Sequence, residues 1–395
     1  MKHLLALCLL AAFAANCLLA QDTPQRRRRP LRQAFETDTL LAHDPVLAWE
    51  NGLFYLYSTG MGVQVATSRD LRTWTVQPRG ALTSIPAWTH DSVPGFRGHV
   101  WAPDVIHYRG RWWMAYSCST FGRNTSAIGL ASSPTLDFTD TLLYRWQDEG
   151  ALVCSRERRD AWNAIDPNIV LDASGHPWLT WGSFWDGIQL VRLNPETMHV
   201  AEGEKPLTIA RRVALKDTLS AEPNPTSRYA GRNAIEAPFI TRHADYYYLF
   251  VSHDYCCRGM KSNYKVVVGR SRNIQGPYLD RQGRDMASGG GTLVIEGDKV
   301  DFEAAGHSAF YHILSAPNQQ KNQQPAQQST QQSTQQPAQQ PTQQPAQQPA
   351  PLDLFICHGY STRHNGQAIL VQRPVRWTAD GWPELGSWEV EKLKS

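Results

Sequence analysis

A short segment that carries a polar or charged residue recurs five times along this chain of 395 residues. The copies follow one another at intervals of roughly 60 to 70 residues, a period typical of propellers and solenoids. No other feature of the sequence constrains the fold as strongly. The copies are His43-Asp44-Pro45-Val46-Leu47, Ala102-Pro103-Asp104-Val105-Ile106, Ile165-Asp166-Pro167-Asn168-Ile169, Ile235-Glu236-Ala237-Pro238-Phe239 and Gly306-His307-Ser308-Ala309-Phe310.

Two further strand-like runs follow each segment, with alternating aromatic or apolar residues and turn residues at their ends. The first set covers residues 53–58, 112–117, 178–183, 246–252 and 354–359, and the second covers 63–68, 127–132, 188–193, 266–271 and 368–372. A fourth strand in each unit is weakly marked, and no long helix interrupts the pattern. Repeated units of three or four short strands predict an all-β fold, a five-bladed β-propeller.

The first strand of a propeller blade lines the central channel, so the polar residues that open the five units should converge at one end of that channel. Burying charged groups in a sheet is costly unless they are paired or used, which makes a packing role a poor explanation for all five. Among these residues, the carboxyls Asp44, Asp166 and Glu236 lie close to a proline. Proline fixes the local backbone and helps to hold such side chains in place.

Hydrolysis of a glycosidic bond needs one carboxylic acid that protonates the leaving oxygen and a carboxylate that activates water or attacks the sugar. The shorter aspartate leaves room for a water and suits the base, and the longer glutamate can reach over the substrate and suits the acid. We therefore expect Asp44, Asp166 and Glu236 to be the catalytic residues of a glycoside hydrolase.

Three motifs resemble the signatures of family 43 glycoside hydrolases, which include arabinanases, furanosidases and xylosidases. They are His43-Asp44-Pro45, Ile165-Asp166-Pro167-Asn168 and Ile235-Glu236-Ala237-Pro238, and the similarity extends over residues 40–375. Four more segments look most like those of endo-arabinanases: Val100-Trp101-Ala102-Pro103-Asp104, Ser119-Thr120-Phe121-Gly122 with Thr125-Ser126-Ala127-Ile128-Gly129, Trp181-Gly182-Ser183-Phe184, and Asp254-Tyr255-Cys256-Cys257-Arg258-Gly259.

The resemblance implies an inverting mechanism in which Asp44 is the general base, Glu236 the general acid, and Asp166 the residue that raises the pKa of the acid and holds it in position. It also implies an endo-acting enzyme for α-1,5-linked L-arabinofuranosyl bonds, with arabinan and pectin side chains as polysaccharide partners. An exo-acting arabinofuranosidase or xylosidase of the same family is the alternative.

His307 opens the fifth unit, where the family's arabinanases carry a histidine that binds a metal, usually calcium, largely through water. From the sequence alone a single histidine in a strand is more often a core residue. The resemblance favours one calcium ion near His307.

Several residues are predicted to contact the sugar. Trp101 and Phe121 offer flat aromatic faces, and His43, Asn168 and Ser183 lie within the family motifs. Cys256 and Cys257 are adjacent, so they either close a vicinal disulfide or remain two thiols near the channel mouth. The other cysteines after the N-terminal segment, Cys118, Cys154 and Cys357, are expected to be small buried apolar residues.

Residues 1–20 have the basic start and apolar core of a secretory signal, which predicts a secreted or periplasmic protein. A lipid anchor on Cys17 is the alternative. The basic arm 21–36 is expected to be a solvated tail, and 37–395 the catalytic propeller. Residues 318–350 consist almost entirely of Gln, Pro, Ala, Ser and Thr, which predicts a disordered insertion within the fifth blade.

Composition excludes other classes of partner. The net charge is +3, without a basic surface interleaved with aromatics, so nucleic acid is not expected. After the signal no apolar stretch is long enough to span a membrane, and a monomer is expected. Two rival functions remain. The first is a retaining hydrolase of the invertase type, but this chain has no Arg-Asp-Pro or Glu-Cys element of the kind those enzymes show. The second is a carbohydrate-binding propeller without catalysis, which would be expected to lose at least one of the three carboxyls.

Overall fold

Each of the five repeats forms one antiparallel sheet in the computed structural model of the protein, which describes residues 33–213, 231–313 and 352–387. Strands β1 to β10 are Phe35–Thr37, Val46–Glu50, Leu53–Ser58, Gly60–Met61, Gln64–Ser68, Trp74–Val76, His99–Tyr108, Arg111–Cys118, Ser126–Ser133 and Gln147–Ser155. Strands β11 to β22 are Asn168–Leu171, Pro177–Trp181, Ile188–Arg192, Leu207–Ala210, Ile235–His243, Tyr246–His253, Lys265–Ser271, Thr292–Ile295, Phe302–Ile313, Leu352–Ser361, Ala368–Trp377 and Pro383–Leu385.

In each sheet the inner strand pairs with the next main strand along the chain, and pairing continues outward. The short strand β1 is added outside β6, and β4 pairs with the inner strand β7. The orders are β2-β3-β5-β6-β1, β4-β7-β8-β9-β10, β11-β12-β13-β14, β15-β16-β17-β18 and β19-β20-β21-β22. One short helix, α1 (Trp88–Ser92), and 3-10 turns at Gly231–Asn233, Gly259–Lys261 and Met286–Ser288 accompany the strands. The predicted five-bladed propeller is confirmed, and the weakly marked fourth strand is present in every blade.

The first strands of the blades form a closed ring. Strands β2, β7, β11, β15 and β19 each contact the next, and β19 contacts β2. The residues before β2 also pair with the fifth blade, because the N–H of Ala42 donates to the carbonyl of Ala368 at 3.1 Å and the N–H of Leu370 to the carbonyl of Leu40 at 2.8 Å. These bonds join the first and last blades.

Aromatic and branched side chains fill the space within and between the blades. The largest fully buried residues include Trp74, Trp181, Tyr57 and Tyr116. The burial of so many large side chains supplies the apolar contacts that stabilise the fold, at roughly 25 cal/mol per Å² of apolar surface removed from water.

Each blade has, in or just before its inner strand, a residue other than glycine in the left-handed region of backbone space, a conformation that costs about 1–3 kcal/mol. These residues are Asp44, Ala102, Asp166, Ala237 and His307, with φ of 55°, 42°, 58°, 54° and 52°. The structural repeat therefore equates Ala237 with Asp44. Glu236 lies one residue earlier, at the position equivalent to His43.

The second strand of the preceding blade stabilises four of these five turns by accepting a hydrogen bond from the strained residue's N–H. The acceptors are Thr59 Oγ1 for Ala102 (2.9 Å), Ser117 Oγ for Asp166 (3.0 Å), Ser252 Oγ for His307 (2.8 Å) and His358 Nδ1 for Asp44 (3.1 Å). At the equivalent position the third blade has Gly182, whose N–H bonds the carbonyl of Ile165 at 2.9 Å. There the carboxylate of Asp166 accepts the N–H of Ala237 instead, at 3.2 Å.

Parts of the chain to which some predictions refer lie outside the described residues: the signal 1–20, the basic arm 21–36 apart from its last residues, and the insertion 318–350. Strands β19 and β20 are paired through Ile313 and Leu352, so the Gln- and Pro-rich segment connects two neighbouring strands of the fifth blade. Among the described residues, no helix is long and apolar enough to cross a membrane.

Candidate active site

The three predicted catalytic carboxyls meet at one end of the channel. Asp44, Asp166 and Glu236 are each only 7% exposed. His307, from the fifth blade, lies among them: its Nδ1 is 3.0 Å from Asp44 Oδ1, and its charge interacts with all three carboxyls. The sequence repeat therefore brings these four residues together as predicted.

Asp44 is surrounded by groups that favour its ionised form. His43 Nδ1 lies 2.9 Å from Oδ2, and Thr59 donates its hydroxyl to the same oxygen. Burial alone would raise the pKa of Asp44, but His43 and His307 hold it well below its usual value. Asp44 is thus a carboxylate across the physiological pH range.

His307 acquires a positive charge from the same cluster. Burial alone would lower its pKa, whereas the neighbouring carboxylates Asp44, Asp166 and Glu236 raise the pKa of His307 to about 9. The imidazolium therefore compensates part of the buried negative charge, as buried ions require.

Glu236 occupies a different environment. Burial raises its pKa, against the hydroxyls of Ser183 and Tyr264, which donate to Oε2 and Oε1 at 2.7 Å each. The pKa of Asp166 is also raised well above its usual value, by burial and by the charge of Glu236. Two buried carboxyls that repel each other retain a proton between them.

Local backbone features place the two hydroxyls beside Glu236. Gly182 has a φ of 136°, and a Cβ there would lie 2.3 Å from the carbonyl oxygen of Gly187, so only glycine fits. This turn lets Ser183 pair with Glu236 across the two blades. A Cβ on Gly306 would lie 2.0 Å from the ring of Tyr264, so glycine also leaves the space that this tyrosine fills.

Comparison with known proteins identifies the family. Residues 38–315 match the model of glycosyl hydrolases family 43. The chain belongs to this family. A glycoside hydrolase of family 43 needs a base and an acid in one cleft, and the ionised Asp44 and the proton shared by Asp166 and Glu236 supply groups of both kinds.

Curated proteins resemble most of the chain. The extracellular exo-α-(1→5)-L-arabinofuranosidase ArbA of Cellvibrio japonicus (strain Ueda107) is 43% identical over 356 residues, which cover 89% of this chain and 88% of that protein. The extracellular endo-α-(1→5)-L-arabinanase 1 of Bacillus subtilis (strain 168) is 41% identical over 262 residues, with 65% and 73% covered.

Solved structures are similar as well. The exo-1,5-α-L-arabinanase from a bovine ruminal metagenomic library has a TM-score of 0.73 and 43% identity, and the match covers 90% of this chain and all of that one. The Cellvibrio cellulosa α-L-arabinanase complexed with arabinohexaose has a TM-score of 0.72 and 35% identity, with 88% and 96% covered.

The residues predicted to contact sugar fall into two groups. His43, Ser183, Cys256 and Cys257 lie at the carboxyl cluster, and the two cysteines form a vicinal disulfide. Cys257 Sγ is 3.8 Å from His43 Nε2. His43 contacts Asp44 at 2.9 Å and Ser183 donates to Glu236 at 2.7 Å, so both side chains hold carboxyls of the cluster in place.

Trp101, Phe121 and Asn168 differ from one another. Trp101 is half-buried, with its indole N–H donated to His99 Nδ1 at 3.0 Å, and Phe121 is 76% exposed in the loop after β8. Asn168 is buried within the channel wall: its amide donates to Asp104 at 3.3 Å and accepts the N–H of Ile240 at 2.9 Å. The side chain of Asn168 thus joins three blades.

Sequence reasoning missed Thr59 and His358, which contact Asp44, and Tyr264, which contacts Glu236. It also missed Tyr360, which contacts His43 and His358. Thr59 and His358 occupy the position at which the second strand of one blade supports the next, so extending the repeat alignment to the ends of the second strands would have found them. Tyr360 lies two residues after His358 on β20 and so shares its face of the sheet. No comparable signal marks Tyr264.

A group of side chains around Asp44 could hold a metal ion. Ligand atoms of His43, Asp44 and His358 lie within 4.8 Å of one another. Calcium takes six to eight oxygen ligands, whereas this group offers two imidazoles, whose nitrogens already contact Asp44 and Tyr360, and one carboxylate. The group does not fit calcium.

Proposed function

We propose that the protein hydrolyses α-1,5-linked L-arabinofuranosyl bonds in arabinan with inversion at the anomeric carbon. The observation that carries the proposal is the contrast between Asp44, which its neighbours keep ionised, and Glu236, whose pKa is raised by burial. Such a pair of carboxyls in opposite protonation states is what general base and general acid catalysis requires.

In the proposed reaction, Asp44 accepts a proton from water while the water oxygen forms a bond to the anomeric carbon. Glu236 donates its proton to the glycosidic oxygen as the bond between that oxygen and the anomeric carbon breaks. Asp166 raises the pKa of Glu236 by its charge and holds the following peptide through the N–H of Ala237. The base then carries one proton and the acid none, and exchange with water restores both.

The proposed substrate rests on the names of the relatives and on the aromatic residues near the site. Several related proteins are named as arabinanases or arabinofuranosidases acting on 1,5 bonds, and a related structure contains arabinohexaose. Trp101 and Phe121 are proposed to stack against furanose rings. Arabinan side chains of pectin are the polymer that this chemistry fits.

The position of cleavage is a separate question. Sequence motifs predict internal cleavage, whereas the two relatives at 43% identity, which match about nine-tenths of this chain, are named as exo-acting. The endo-acting relative from Bacillus subtilis matches a smaller share of the chain. We therefore propose release of short products from chain ends in preference to internal cleavage.

Calcium near His307 is also a proposal. It is supported by the three carboxyls around His307, because a divalent cation there would balance their negative charge in place of the imidazolium proton, which His307 would lose on binding it. His307 would contribute one imidazole nitrogen, and water would supply the other ligands. Exhaustive chelation confirmed by elemental analysis should lower the rate more than the melting temperature, and an unchanged rate and pH profile would contradict the site.

The proposed setting of the enzyme is outside the cytoplasm. Two related proteins are named as extracellular, and the first twenty residues have the composition of a secretory signal. Pectin and arabinan are extracellular polymers, so an exported hydrolase would meet its substrate there.

A product profile tests the function. The purified protein is incubated with linear arabinan, debranched arabinan and arabinoxylan, with Glu236→Gln as the inactive control, and products are followed over time. Release of one short product from linear arabinan supports the exo mode, and an early ladder of oligomers supports the endo mode. Hydrolysis of arabinoxylan without hydrolysis of linear arabinan would contradict the proposed substrate. The first anomer formed, observed by proton NMR, tests inversion.

A further inference from the structure

The hydroxyl of Tyr360 joins the two histidines that hold Asp44. Tyr360 is 3% exposed, and its oxygen lies 3.0 Å from His43 Nε2 and 3.2 Å from His358 Nε2. The N–H of Cys257 donates to the same oxygen at 2.7 Å. One phenol therefore contacts both residues that orient the proposed base, and a fixed backbone group contacts the phenol.

The backbone N–H of Asp44 determines which atoms donate and which accept in the hydrogen bonds of this group. The N–H of Asp44 can only donate, so Nδ1 of His358 accepts and its Nε2 carries the proton of the neutral ring. Nε2 of His358 then donates to the Tyr360 oxygen, which already accepts from Cys257. Because both acceptor sites of that oxygen are used, the Tyr360 O–H must donate. Its acceptor is Nε2 of His43 at 3.0 Å, which is nearer and stronger than Sγ of Cys257 at 3.9 Å.

His43 is the last member of the ring of bonds. With Nε2 accepting from Tyr360, its proton lies on Nδ1, which is 2.9 Å from Asp44 Oδ2. The opposite tautomer would place a lone pair against the carboxylate and a third donor against the Tyr360 oxygen. The ring thus begins at the backbone of Asp44 and returns to its side chain.

We propose that Tyr360 is a positioning residue that fixes His43 in the Nδ1–H tautomer, so that His43 donates to Asp44 and holds its carboxylate toward the attacking water. The vicinal disulfide contributes the outer contact through the N–H of Cys257. This inference rests on the proposed role of Asp44 as base, and adds a residue that never touches substrate.

Tyr360→Phe removes the hydroxyl and keeps the ring. It should lower kcat about 10–100-fold, the range for loss of a group that orients a catalytic one, with KM within about twofold. The matched control is Tyr116→Phe, because Tyr116 is also buried and its hydroxyl has no hydrogen-bond partner among the described residues. This control should keep the wild-type kcat.

A double-mutant cycle separates tautomer control from a general structural effect. In His43→Asn the amide nitrogen replaces Nδ1 and is always a donor, so it needs no control by Tyr360. Tyr360→Phe should then change kcat by less than about twofold in the His43→Asn background. An equal loss in both backgrounds, or an unchanged kcat in the single variant, would overturn the inference.

Nitrogen-15 NMR of histidine-labelled protein gives a readout that does not depend on activity. The spectrum of wild type, assigned with His43→Asn, should show His43 protonated on Nδ1, and Tyr360→Phe should mix the two tautomers. Nε2 protonation of His43 in wild type would contradict the inference even if arabinan is not the substrate. Failure of arabinan hydrolysis with the predicted tautomer present would contradict the proposed function alone.

Discussion

The two sides of the active site are built from the same backbone repeat yet favour opposite protonation states. On the side of the first blade, imidazoles of His43 and His307 lie against Asp44 and keep its pKa low. On the side of the fourth blade, Glu236 is held by two hydroxyls and lies near a second carboxyl, with its pKa raised by burial. The identity of the neighbours, more than the fold, sets the protonation states of Asp44 and Glu236.

The difference arises at one position of the repeat. Thr59, Ser117, Ser252 and His358 support the strained turn of the next blade, and only Gly182 cannot do so. Asp166 takes over this bond to Ala237, which places a second carboxyl near the acid. The loss of one supporting side chain thus coincides with the placement of Asp166 near Glu236, whose charge raises the pKa of Asp166.

The largest effect on kcat is expected when Asp44 or Glu236 loses its carboxyl group. Asp44→Asn and Glu236→Gln should each lower kcat on arabino-oligosaccharides by about 10³-fold or more, because each removes one of the two proton transfers. Both variants should keep the wild-type melting temperature to within a few degrees. Asp104→Asn, which changes another buried carboxyl of the channel, is the control, and an equal loss there would argue for general damage to the channel.

Removing the negative charge of Asp166 should lower the pKa of Glu236, as the pKa of Asp44 is already lowered. Asp166→Asn keeps an oxygen that accepts from Ala237 but removes the negative charge, so the pKa of Glu236 should fall. Activity requires protonated Glu236 and is lost as the pH rises through its pKa. The basic limb of kcat/KM should therefore move to lower pH. A limb that stays in place would mean that Asp166 acts by position alone.

Removing either of the hydroxyls that donate to Glu236 should move the basic limb of kcat/KM in the opposite direction, to higher pH. Ser183 and Tyr264 stabilise the ionised acid, so Ser183→Ala and Tyr264→Phe should raise the pKa of Glu236 and extend activity to higher pH. We expect kcat near neutral pH to fall by only a few-fold, about the effect of one hydrogen bond. A shift to lower pH in both variants would contradict the assigned hydrogen-bond donors.

The smallest effect is expected from the vicinal disulfide, which contacts the base side only through Tyr360 and His43. Reduction with dithiothreitol should lower kcat by about two- to tenfold, because the hydroxyl of Tyr360 loses a fixed neighbour. Cys256→Ser/Cys257→Ser should have the same lowered kcat and no further response to the reductant. A fully active double variant would limit the disulfide to a structural role.

The repeat made the propeller and the four central residues predictable, because strand alternation and an inner-strand position are local properties of the sequence. The residues that surround those four were harder to predict from the sequence. Tyr264 reaches Glu236 only because Gly306, forty-two residues later in the chain, leaves room for its ring. Asn168 lies in a family motif, yet the register of its strand directs the side chain into contacts between blades.

The division of roles between Asp44 and Glu236 is tested most directly by changing the leaving group. An aryl α-L-arabinofuranoside with an acidic phenol departs without protonation, so it bypasses the general acid and not the base. On this substrate Glu236→Ala should recover a large part of the wild-type rate, while Asp44→Ala should remain inactive as it is on arabino-oligosaccharide. Recovery by Asp44→Ala, or equal loss in both variants, would contradict the account.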